Sequence, residues 1–340
     1  MAGADVLEVR NLSVGFRTSA GLVPAVRDVS FRVAQGETLA LVGESGSGKS
    51  VTSLAILCLT PKAPFCAVSG QVLLRERDGK VLDLLALPEL RMRQVRGAVV
   101  AMVFQEPMTS FNPVHTIGEQ VAEAIRFHGQ LGRRASLDRA AELLDMVGIP
   151  DARRRLSSYP HQLSGGMRQR AMIAMALSCE PVLLIADEPT TALDVTIQAQ
   201  ILELLQRLQQ TTRMAMIFIT HNLGVVAETA NRVAVMYSGR IVEQAEVVPL
   251  FKAPLMPYTQ GLLRSVPRLD LAGRRAGALA AIPGNVPDPL DPPAGCSFAP
   301  RCPHILPSLC NARVPDLELA AADHAVRCVR WPDVAKGAIP

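Results

Sequence analysis

The chain has 340 residues, of which 49% are hydrophobic, 19% are charged and 4% are aromatic, and its formal net charge is +4. This balance is that of a globular protein with a substantial core, and it indicates neither a nucleic-acid-binding stripe nor a polybasic membrane arm. The sequence contains no uninterrupted apolar run of the roughly 18 residues that a membrane span needs. Its N-terminus lacks the basic-then-apolar layout of a signal peptide, so we expect a cytoplasmic protein.

The first 35 residues predict two strands. Apolar and polar side chains alternate over Leu7–Arg10 and again over Val29–Val33, and we expect a turn from Gly15 to Pro24 between them. Phe16 stands near the end of the first strand. Its ring could stack on an adenine, or it could be an ordinary packed aromatic of the strand.

A glycine-rich loop follows an apolar run and precedes a helical pattern, and it fits G-x-x-x-x-G-K-[ST] in the strand-loop-helix context that this pattern requires. Its glycines let successive N–H groups face inward as an anion nest, and the helix N-terminus adds partial positive charge. We expect a triphosphate site rather than a flexible Gly/Ser turn, with Lys49 on the outer phosphates and the Ser50 hydroxyl on Mg²⁺. The candidate contacts are Gly43, Glu44, Ser45, Gly46, Ser47, Gly48, Lys49, Ser50 and Val51.

The middle of the chain predicts strands and then helices. Gly70–Leu87 has the pattern of two short strands around a turn, and Val99–Phe104 has that of a short buried strand ending at Gln105. Apolar residues then repeat with helical spacing from Ile117 to Arg155, which indicates a helical insertion.

A second helix start lies at Leu163–Met167, where Ser164 is the expected N-cap. The glycines that follow Ser164 leave backbone N–H groups exposed, so this helix end is suited to an anion as well. The alternative is a plain capped helix.

Two further strands are expected to end in polar residues. The apolar run Val182–Ala186 suggests a strand buried on both faces, and it leads into Asp187 and Glu188, which are costly to bury without charged or metal partners. After a long helix, another apolar strand, Met214–Thr220, leads into His221. Strands that alternate with helices indicate a parallel sheet with its ligand at the carboxyl ends of the strands.

With these motifs in this order, the chain resembles the ATP-binding subunit of ABC transporters. The resemblance implies an α/β P-loop ABC ATPase domain with a RecA-like core, an antiparallel β subdomain and a helical subdomain, followed by a small irregular C-terminal extension. The implied boundaries are 5–255 for the nucleotide-binding domain, with the helical insertion at about 106–180, and 256–340 for the extension. The motifs are the phosphate loop, Gln105, Leu163–Met167, Leu184–Glu188, Ala192–Asp194 and His221.

The resemblance also implies catalytic roles. Asp187 would hold Mg²⁺ through water, Glu188 would be the general base for the attacking water, and Gln105 would reach both Mg²⁺ and that water. His221 would contact the γ-phosphate and orient the base. Read without the resemblance, Asp187 and Glu188 could be a capping pair, Gln105 a solvated strand end and His221 an ordinary histidine.

Other residues are implied to act on a second nucleotide. Ser164 and Gly166 would touch the γ-phosphate of a nucleotide that the opposite subunit holds, so two nucleotide-binding domains would face each other head to tail. Gly165 and Asp194 complete the candidate nucleotide contacts.

Within the family, the likeness is strongest to the dipeptide/oligopeptide importer ATPases, through Phe104–Pro113, Ile185–Asp194 and Pro257–Leu263, although Met256 departs from the histidine usual there. The expected partners are a second ABC ATPase subunit (a paralogue or a second copy), two transmembrane permease subunits and, indirectly, an extracytoplasmic substrate-binding protein, with no nucleic acid. The chain would lie peripherally at the cytoplasmic face of the membrane.

Two alternatives stay open on the sequence. A soluble ABC ATPase acting on DNA or the ribosome would be expected to carry a coiled-coil insertion, a second phosphate loop or a basic patch. A P-loop kinase would need a phosphoacceptor site. We find none of these features. The transported solute is not indicated, because other subunits choose it.

Four cysteines crowd the last 45 residues, in a segment rich in proline. Such a segment needs a cross-link to order it. A disulfide is an unusual cross-link in the cytoplasm, because that compartment is reducing. The spacing C-x₅-C-x₇-C-x₁₇-C lacks the close pairs of structural zinc sites, and the resemblance extends to importer ATPases that carry a [4Fe-4S] cluster in this region. We expect such a cluster, with zinc or unligated or disulfide-bonded thiols as the alternatives. The expected ligands are Cys296, Cys302, Cys310 and Cys328.

Overall fold

The computed structural model describes residues 4–129, 131–191, 193–265 and 281–337. Within them the chain forms two compact units. The first unit draws on the chain up to Glu8, on Arg32–Glu37 and on Leu73–Ile219. The second draws on Val9–Phe31, on Thr38–Val72 and on the chain from Thr220 onward.

The strands expected between the N-terminus and Thr220 are present. The strands expected at Val99–Phe104 and Met214–Thr220 are confirmed, each shortened by one residue at either end. The strand bounds are β1 Asp5–Thr18, β2 Gly21–Ala34, β3 Thr38–Val42, β4 Cys66–Arg75, β5 Val81–Asp83, β6 Val100–Val103, β7 Leu183–Asp187, β8 Ala215–Ile219, β9 Arg232–Tyr237, β10 Arg240–Glu246, β11 Glu318–Ala321 and β12 His324–Val326.

The turn between β1 and β2 is shorter than the sequence predicts. β1 continues to Thr18 and β2 begins at Gly21, so Gly15 and Pro24 both lie within strands. β2 is an edge strand of its sheet. An edge position tolerates Pro24, because proline has no N–H to donate to a neighbouring strand.

The helices lie mainly between residues 107 and 264, and none among those of the described chain combines the length and apolar character that crossing a membrane requires. Their bounds are α1 Lys49–Ile56, α2 Glu89–Val95, α3 Pro107–Ser110, α4 Ile117–Gly129, α5 Arg133–Met146, α6 Ala152–Arg155, α7 Gly165–Ala176, α8 Val195–Thr212, α9 Leu223–Thr229, α10 Val247–Lys252, α11 Pro257–Arg264, α12 Pro307–Cys310 and α13 Trp331–Ala335.

The first unit is built on parallel strands. β7 pairs with β6 on one side and with β8 on the other, both in parallel register. Every residue of β7 and of β8 is buried, as expected for strands covered on both faces. Helices α4, α5 and α7 pack against one another in the same unit. Because parallel strands end at one edge, β7 delivers Asp187 and Glu188 to the carboxyl edge of this sheet.

The second unit combines a parallel pair with antiparallel neighbours. β3 runs parallel to β9, β9 pairs antiparallel with β10, and β10 pairs antiparallel with β12, which in turn pairs with β11. The last two strands belong to the C-terminal extension, where the proline-rich composition does not predict strands. Pairing with β10 gives their backbone groups the hydrogen-bond partners that a short isolated segment would lack.

An aromatic cluster ties the extension to the sheet of the second unit. Tyr237, at the end of β9, packs on Tyr258 with ring centroids 4.6 Å apart, and both rings lie 5.4 Å from Phe298. All three side chains are buried. Three large buried aromatic rings contribute several kcal/mol of apolar burial, so the extension is part of the core of this unit.

A buried carboxylate fixes the extension a second time. Glu243 on β10 is completely buried, and its carboxylate accepts hydrogen bonds from the backbone N–H groups of Leu255 (2.6 Å) and Met256 (3.2 Å). The Nε2 atom of His324, on β12, lies 2.7 Å from the same carboxylate. Since burying a carboxylate is costly unless it is hydrogen-bonded, these three groups make Glu243 tolerable where it lies.

We expect Glu243→Gln to lower the free energy of unfolding by about 1–3 kcal/mol, because an amide cannot accept as strongly from these donors and leaves at least one of them poorly paired. Urea unfolding followed by circular dichroism measures the change. Glu246→Gln, at the exposed end of the same strand, is the control and should lie within about 0.5 kcal/mol of the unchanged chain. Equal losses in the two variants would contradict the role of Glu243.

Candidate functional site

The phosphate loop spans residues 43–50, between β3 and α1 in the second unit. Gly43 and Gly48 have φ of +150° and +100°, conformations that favour glycine. A Cβ on Gly43 would lie 2.2 Å from the carbonyl oxygen of Met236, and one on Gly48 would lie 2.6 Å from that of Ala25. Neither position has room for a side chain, so the backbone itself lines the loop.

Lys49 lies inside the loop and is only 7% exposed. Its Nζ donates hydrogen bonds to the carbonyl oxygens of Gly43 (2.8 Å) and Glu44 (3.0 Å) and to Oγ of Ser47 (3.3 Å). Anionic phosphate oxygens accept more strongly from an ammonium group than carbonyl or hydroxyl oxygens do. The buried cation therefore fits the predicted triphosphate.

The N-terminus of α1 is also suited to an anion. The N-cap of α1 is Gly48, which has no side chain that could accept from the first N–H groups of the helix. The N–H groups at such a helix start can bind an anion. Ser50, in the first turn, is exposed and Val51 is partly buried. A serine hydroxyl at this place suits the hard cation Mg²⁺, which prefers oxygen ligands.

Two other predicted contacts lie in the same unit. Phe16 is a partly buried residue of β1. His221 is exposed and directly follows Thr220, whose N–H donates to the carbonyl oxygen of Leu41 at 3.3 Å. Because Leu41 precedes Gly43 by two residues, His221 lies at the end of β3 from which the phosphate loop starts.

The first unit brings Gln105 and Glu188 together. Nε2 of Gln105 donates to Oε2 of Glu188 at 3.2 Å, and Oγ1 of Thr191 donates to the same oxygen at 2.9 Å. Glu188 follows buried Asp187 with φ of +46°, which is uncommon for a residue with a side chain. Such strain persists only where the surroundings hold it, and here the N–H of Glu188 donates to the carbonyl oxygen of Ile219 at 2.9 Å.

Ser164 caps α7 as predicted. Its Oγ accepts from the N–H of Met167 at 3.3 Å, and both Ser164 and Gly165 are exposed. A Cβ on Gly166 would lie 2.9 Å from a methyl carbon of Ile197, so this helix start packs closely on α8. Asp194 in turn caps α8, accepting from the N–H of Ile197 at 3.0 Å.

Two contacts of the phosphate loop are not predicted by its sequence. The hydroxyl of Tyr258 accepts from the N–H of Glu44 at 2.9 Å. Arg301 binds the Glu44 carboxylate through both terminal nitrogens, Nη1 at 2.7 Å and Nη2 at 3.0 Å. Tyr258 lies in the family stretch Pro257–Leu263, but nothing in that stretch or around Arg301 assigns either residue to the loop. The sequence signal for a partner is an acidic residue in an anion-binding loop, which calls for a neutralising cation.

The four C-terminal cysteines line one cavity of about 20 Å³ together with Phe298. None of the seven cysteines, all within the described segments, forms a disulfide. Burial raises the pKa of the Cys296 and Cys302 thiols, and it raises that of Cys328 to about 12. These three thiols are therefore protonated near neutral pH unless a metal displaces their protons.

Strand, phosphate loop and helix define the class of the protein: an α/β nucleotide-binding protein of the P-loop type. The family model described as "ABC transporter" matches residues 26–191, and the one described as "Oligopeptide/dipeptide transporter, C-terminal region" matches residues 242–310. The chain belongs to the ABC transporter ATP-binding family, and it is an ATPase.

Relatives and solved structures agree with this family. A Brucella melitensis protein named for peptide import and ATP binding is 56% identical over 338 residues, 98% of this chain and 100% of the relative. The dipeptide transport ATP-binding protein DppD of Bacillus subtilis is 50% identical over 95% of this chain and 94% of its own. A dimeric post-hydrolysis structure of the ATP-binding cassette MJ0796 with ADP and phosphate is 26% identical, with a TM-score of 0.61, covering 71% of this chain and 98% of that one.

Glu188→Gln should reduce ATP turnover by at least about 100-fold, because an amide cannot accept the proton of the attacking water. ATP affinity should persist, since the amide keeps the shape of the side chain. Turnover is measured by phosphate release and affinity by a fluorescent nucleotide.

Lys49→Ala is the matched variant, in which ATP affinity should change. Removing the ammonium group should weaken ATP binding by about ten- to a hundredfold, as expected for a hydrogen bond to a charged group. Turnover near that of the unchanged chain in Glu188→Gln, or unchanged affinity in Lys49→Ala, would contradict these assignments.

Proposed function

We propose that this chain is the ATP-hydrolysing subunit of an importer that carries dipeptides or oligopeptides across the cytoplasmic membrane. The observation that carries the proposal is the match of residues 242–310 to the oligopeptide/dipeptide transporter C-terminal region, in addition to the general ABC match. The relatives described above are named for peptide import or dipeptide transport. No observation favours the alternative of a soluble ABC ATPase acting on DNA or the ribosome.

In this proposal the phosphate loop binds the triphosphate through its backbone N–H groups, Lys49 binds the outer phosphates and Phe16 stacks on the adenine. Ser50 and Asp187 supply oxygen atoms for Mg²⁺, which neutralises charge on the phosphates when it is bound. The donor chemistry fits, because hydroxyl and carboxylate oxygens are the ligands that this cation prefers.

Glu188 is the proposed general base. Its Oε2 accepts from Gln105 and Thr191, which fixes the orientation of the carboxylate. Gln105 can pass from this contact to the attacking water or Mg²⁺, and His221 is assigned to the γ-phosphate. Hydrolysis then returns the subunit to the start of its conformational cycle, and this return is the purpose of the reaction.

A second nucleotide-binding subunit, either another copy or a paralogue, completes the proposed assembly. The N-terminus of α7 supports this inference, because Ser164 and Gly165 are exposed there and the N–H groups of a helix start suit an anion. Gly166 and Asp194 would contribute to the same surface. The chain would act peripherally at the cytoplasmic face of the membrane.

The segment 106–116 is the proposed contact with a permease subunit. It begins one residue after Gln105, so a change at the nucleotide can pass directly into it. It contains α3 and the side chain of Val114, which is 73% exposed. An exposed apolar side chain next to a nucleotide sensor suits a short helix of a membrane partner.

Ser110→Cys should crosslink to a permease subunit when the chain is co-expressed with candidate membrane subunits of a peptide importer. A short bifunctional thiol reagent and mass spectrometry of the product identify the partner. Thr211→Cys, at the exposed end of α8, is the control and should give no such product. A complex that forms without the Ser110 crosslink would move the docking site elsewhere, and failure to co-purify with any membrane subunit would overturn the importer proposal.

We also propose that the four C-terminal cysteines hold a [4Fe-4S] cluster. The support is chemical: four thiols line one cavity, and soft thiolates suit iron-sulfur clusters. The described residues include no group of three or more His, Cys, Asp or Glu side chains arranged to hold a metal ion, so neither a cluster nor zinc has a preformed site among them. The cavity of about 20 Å³ holds roughly one water molecule, so a cluster would have to push the thiols apart.

Protein purified without oxygen should be brown and contain about four iron atoms per chain, as four-cysteine ligation implies. Cys302→Ser should lose the colour and the iron. Cys179→Ser, outside the cavity, is the control and should keep both. Colourless protein with stoichiometric zinc, or with neither metal, would contradict the proposed cluster while leaving the ATPase assignment intact.

A further inference from the structure

Glu44 places a carboxylate in a loop that must bind an anion. It is the second residue of the phosphate loop, and its side chain is about 30% exposed. A triphosphate carries several negative charges, and like charges within a few ångströms repel by one to several kcal/mol, depending on the local dielectric. An uncompensated carboxylate at this position would therefore weaken ATP binding.

Arg301 supplies the compensating charge. Its guanidinium group binds the Glu44 carboxylate through two nitrogens, 2.7 Å and 3.0 Å from the two oxygens, which is the bidentate arrangement that gives the strongest pairs. The Arg301 side chain is only 4% exposed, so salt screens this pair less than a surface pair. A guanidinium group stays protonated in proteins, so the compensating charge is permanent.

Arg301 is itself held in place by the second unit. Its Nε donates to the carbonyl oxygen of Pro283 at 3.1 Å and its Nη2 to that of Ile282 at 3.2 Å, while Nη1 lies 3.4 Å from the hydroxyl of Tyr237. These hydrogen bonds fix the position of the guanidinium group that binds Glu44. It lies in the 3₁₀ turn Ala299–Arg301, directly before Cys302.

Tyr258 holds the same loop residue by its backbone, since its hydroxyl accepts from the N–H of Glu44. Arg301 and Tyr258 both belong to the C-terminal extension, 257 and 214 residues away from Glu44. The loop carbonyl of Glu44 in turn accepts from Lys49. The side chain, the N–H and the carbonyl oxygen of one loop residue are therefore all fixed, two of them by the extension.

We infer that Arg301 is a positioning residue of the ATP site: by neutralising Glu44 it lets the phosphate loop accept a triphosphate, so the C-terminal extension completes nucleotide binding. The extension thereby acts on the ATPase directly, apart from any cluster that its cysteines hold. This inference rests on the assignment of residues 43–50 as the ATP site, which the Lys49→Ala variant tests separately.

The test is a double-mutant cycle on ATP affinity. Arg301→Gln should weaken ATP binding by about tenfold, which corresponds to the low end of the repulsion between like charges. Adding Glu44→Gln to that variant should restore most of the affinity, because the repelling charge is then gone. The loss in Arg301→Gln should be larger for ATP than for ADP and should shrink at high salt, as charge effects do.

Arg327→Gln is the matched control. Arg327 is another buried arginine of the extension, and it donates to the carbonyl oxygens of Ile241 and Pro315 without touching the loop. It should lower the melting temperature without a salt-dependent loss of ATP affinity. Arg301→Lys, which keeps the charge but not the bidentate fork, is a milder variant for use if Arg301→Gln does not fold, and it should lose less affinity.

Several results would overturn the inference. They are unchanged ATP affinity in folded Arg301→Gln, an equal loss with and without Glu44→Gln, and a loss in Arg301→Lys as large as in Arg301→Gln. The second result would mean that Arg301 only holds the extension in place. A protein that fails to bind ATP with its native sequence would instead overturn the assignment of the loop, and Lys49→Ala would then also have no effect.

Discussion

The phosphate loop depends on two points at which no Cβ can be accommodated. At Gly43 the carbonyl oxygen of Met236 on β9 fills the space, and at Gly48 that of Ala25 on β2 does. The N–H of Gly239 also donates to the carbonyl oxygen of Ser47 at 3.0 Å. The loop is thus held open by its neighbours before any ligand arrives. Its N–H groups keep their direction without an entropic cost at the moment of binding, which is the advantage of preorganisation.

Much of this arrangement could be predicted from the sequence, because each motif is contiguous. Residues 43–50 carry the glycines, the lysine and the serine of the loop within one turn of chain, and the apolar run before them predicts β3. Asp187 and Glu188 likewise follow a run that predicts a buried strand. Local patterns of this kind survive in a sequence because neighbours along the chain remain neighbours in space. The pairing of Gln105 with Glu188 needed the resemblance, since 83 residues separate them.

The long-range contacts left no readable pattern. Glu44 and Arg301 are 257 residues apart, and Glu243 and His324 are 81 apart. His324 has no distinguishing spacing in the sequence. Its partner lies on another strand, and antiparallel pairing selects it by register rather than by composition. The sequence does not predict β11 and β12 for the same reason, because pairing with β10 decides their conformation.

The aromatic cluster has a consequence for how such ATPases can gain or lose their C-terminal segment. Tyr237 belongs to the ATPase sheet, but its ring is covered by Tyr258 and Phe298 from the extension. A chain ending before these two residues would leave that ring and its buried surroundings facing water. A shorter ATPase of this family must therefore fill the position of Tyr237 with a smaller or more polar residue, or cover it with a different segment. Loss of the extension removes part of the hydrophobic core, so it requires compensating substitutions in the sheet.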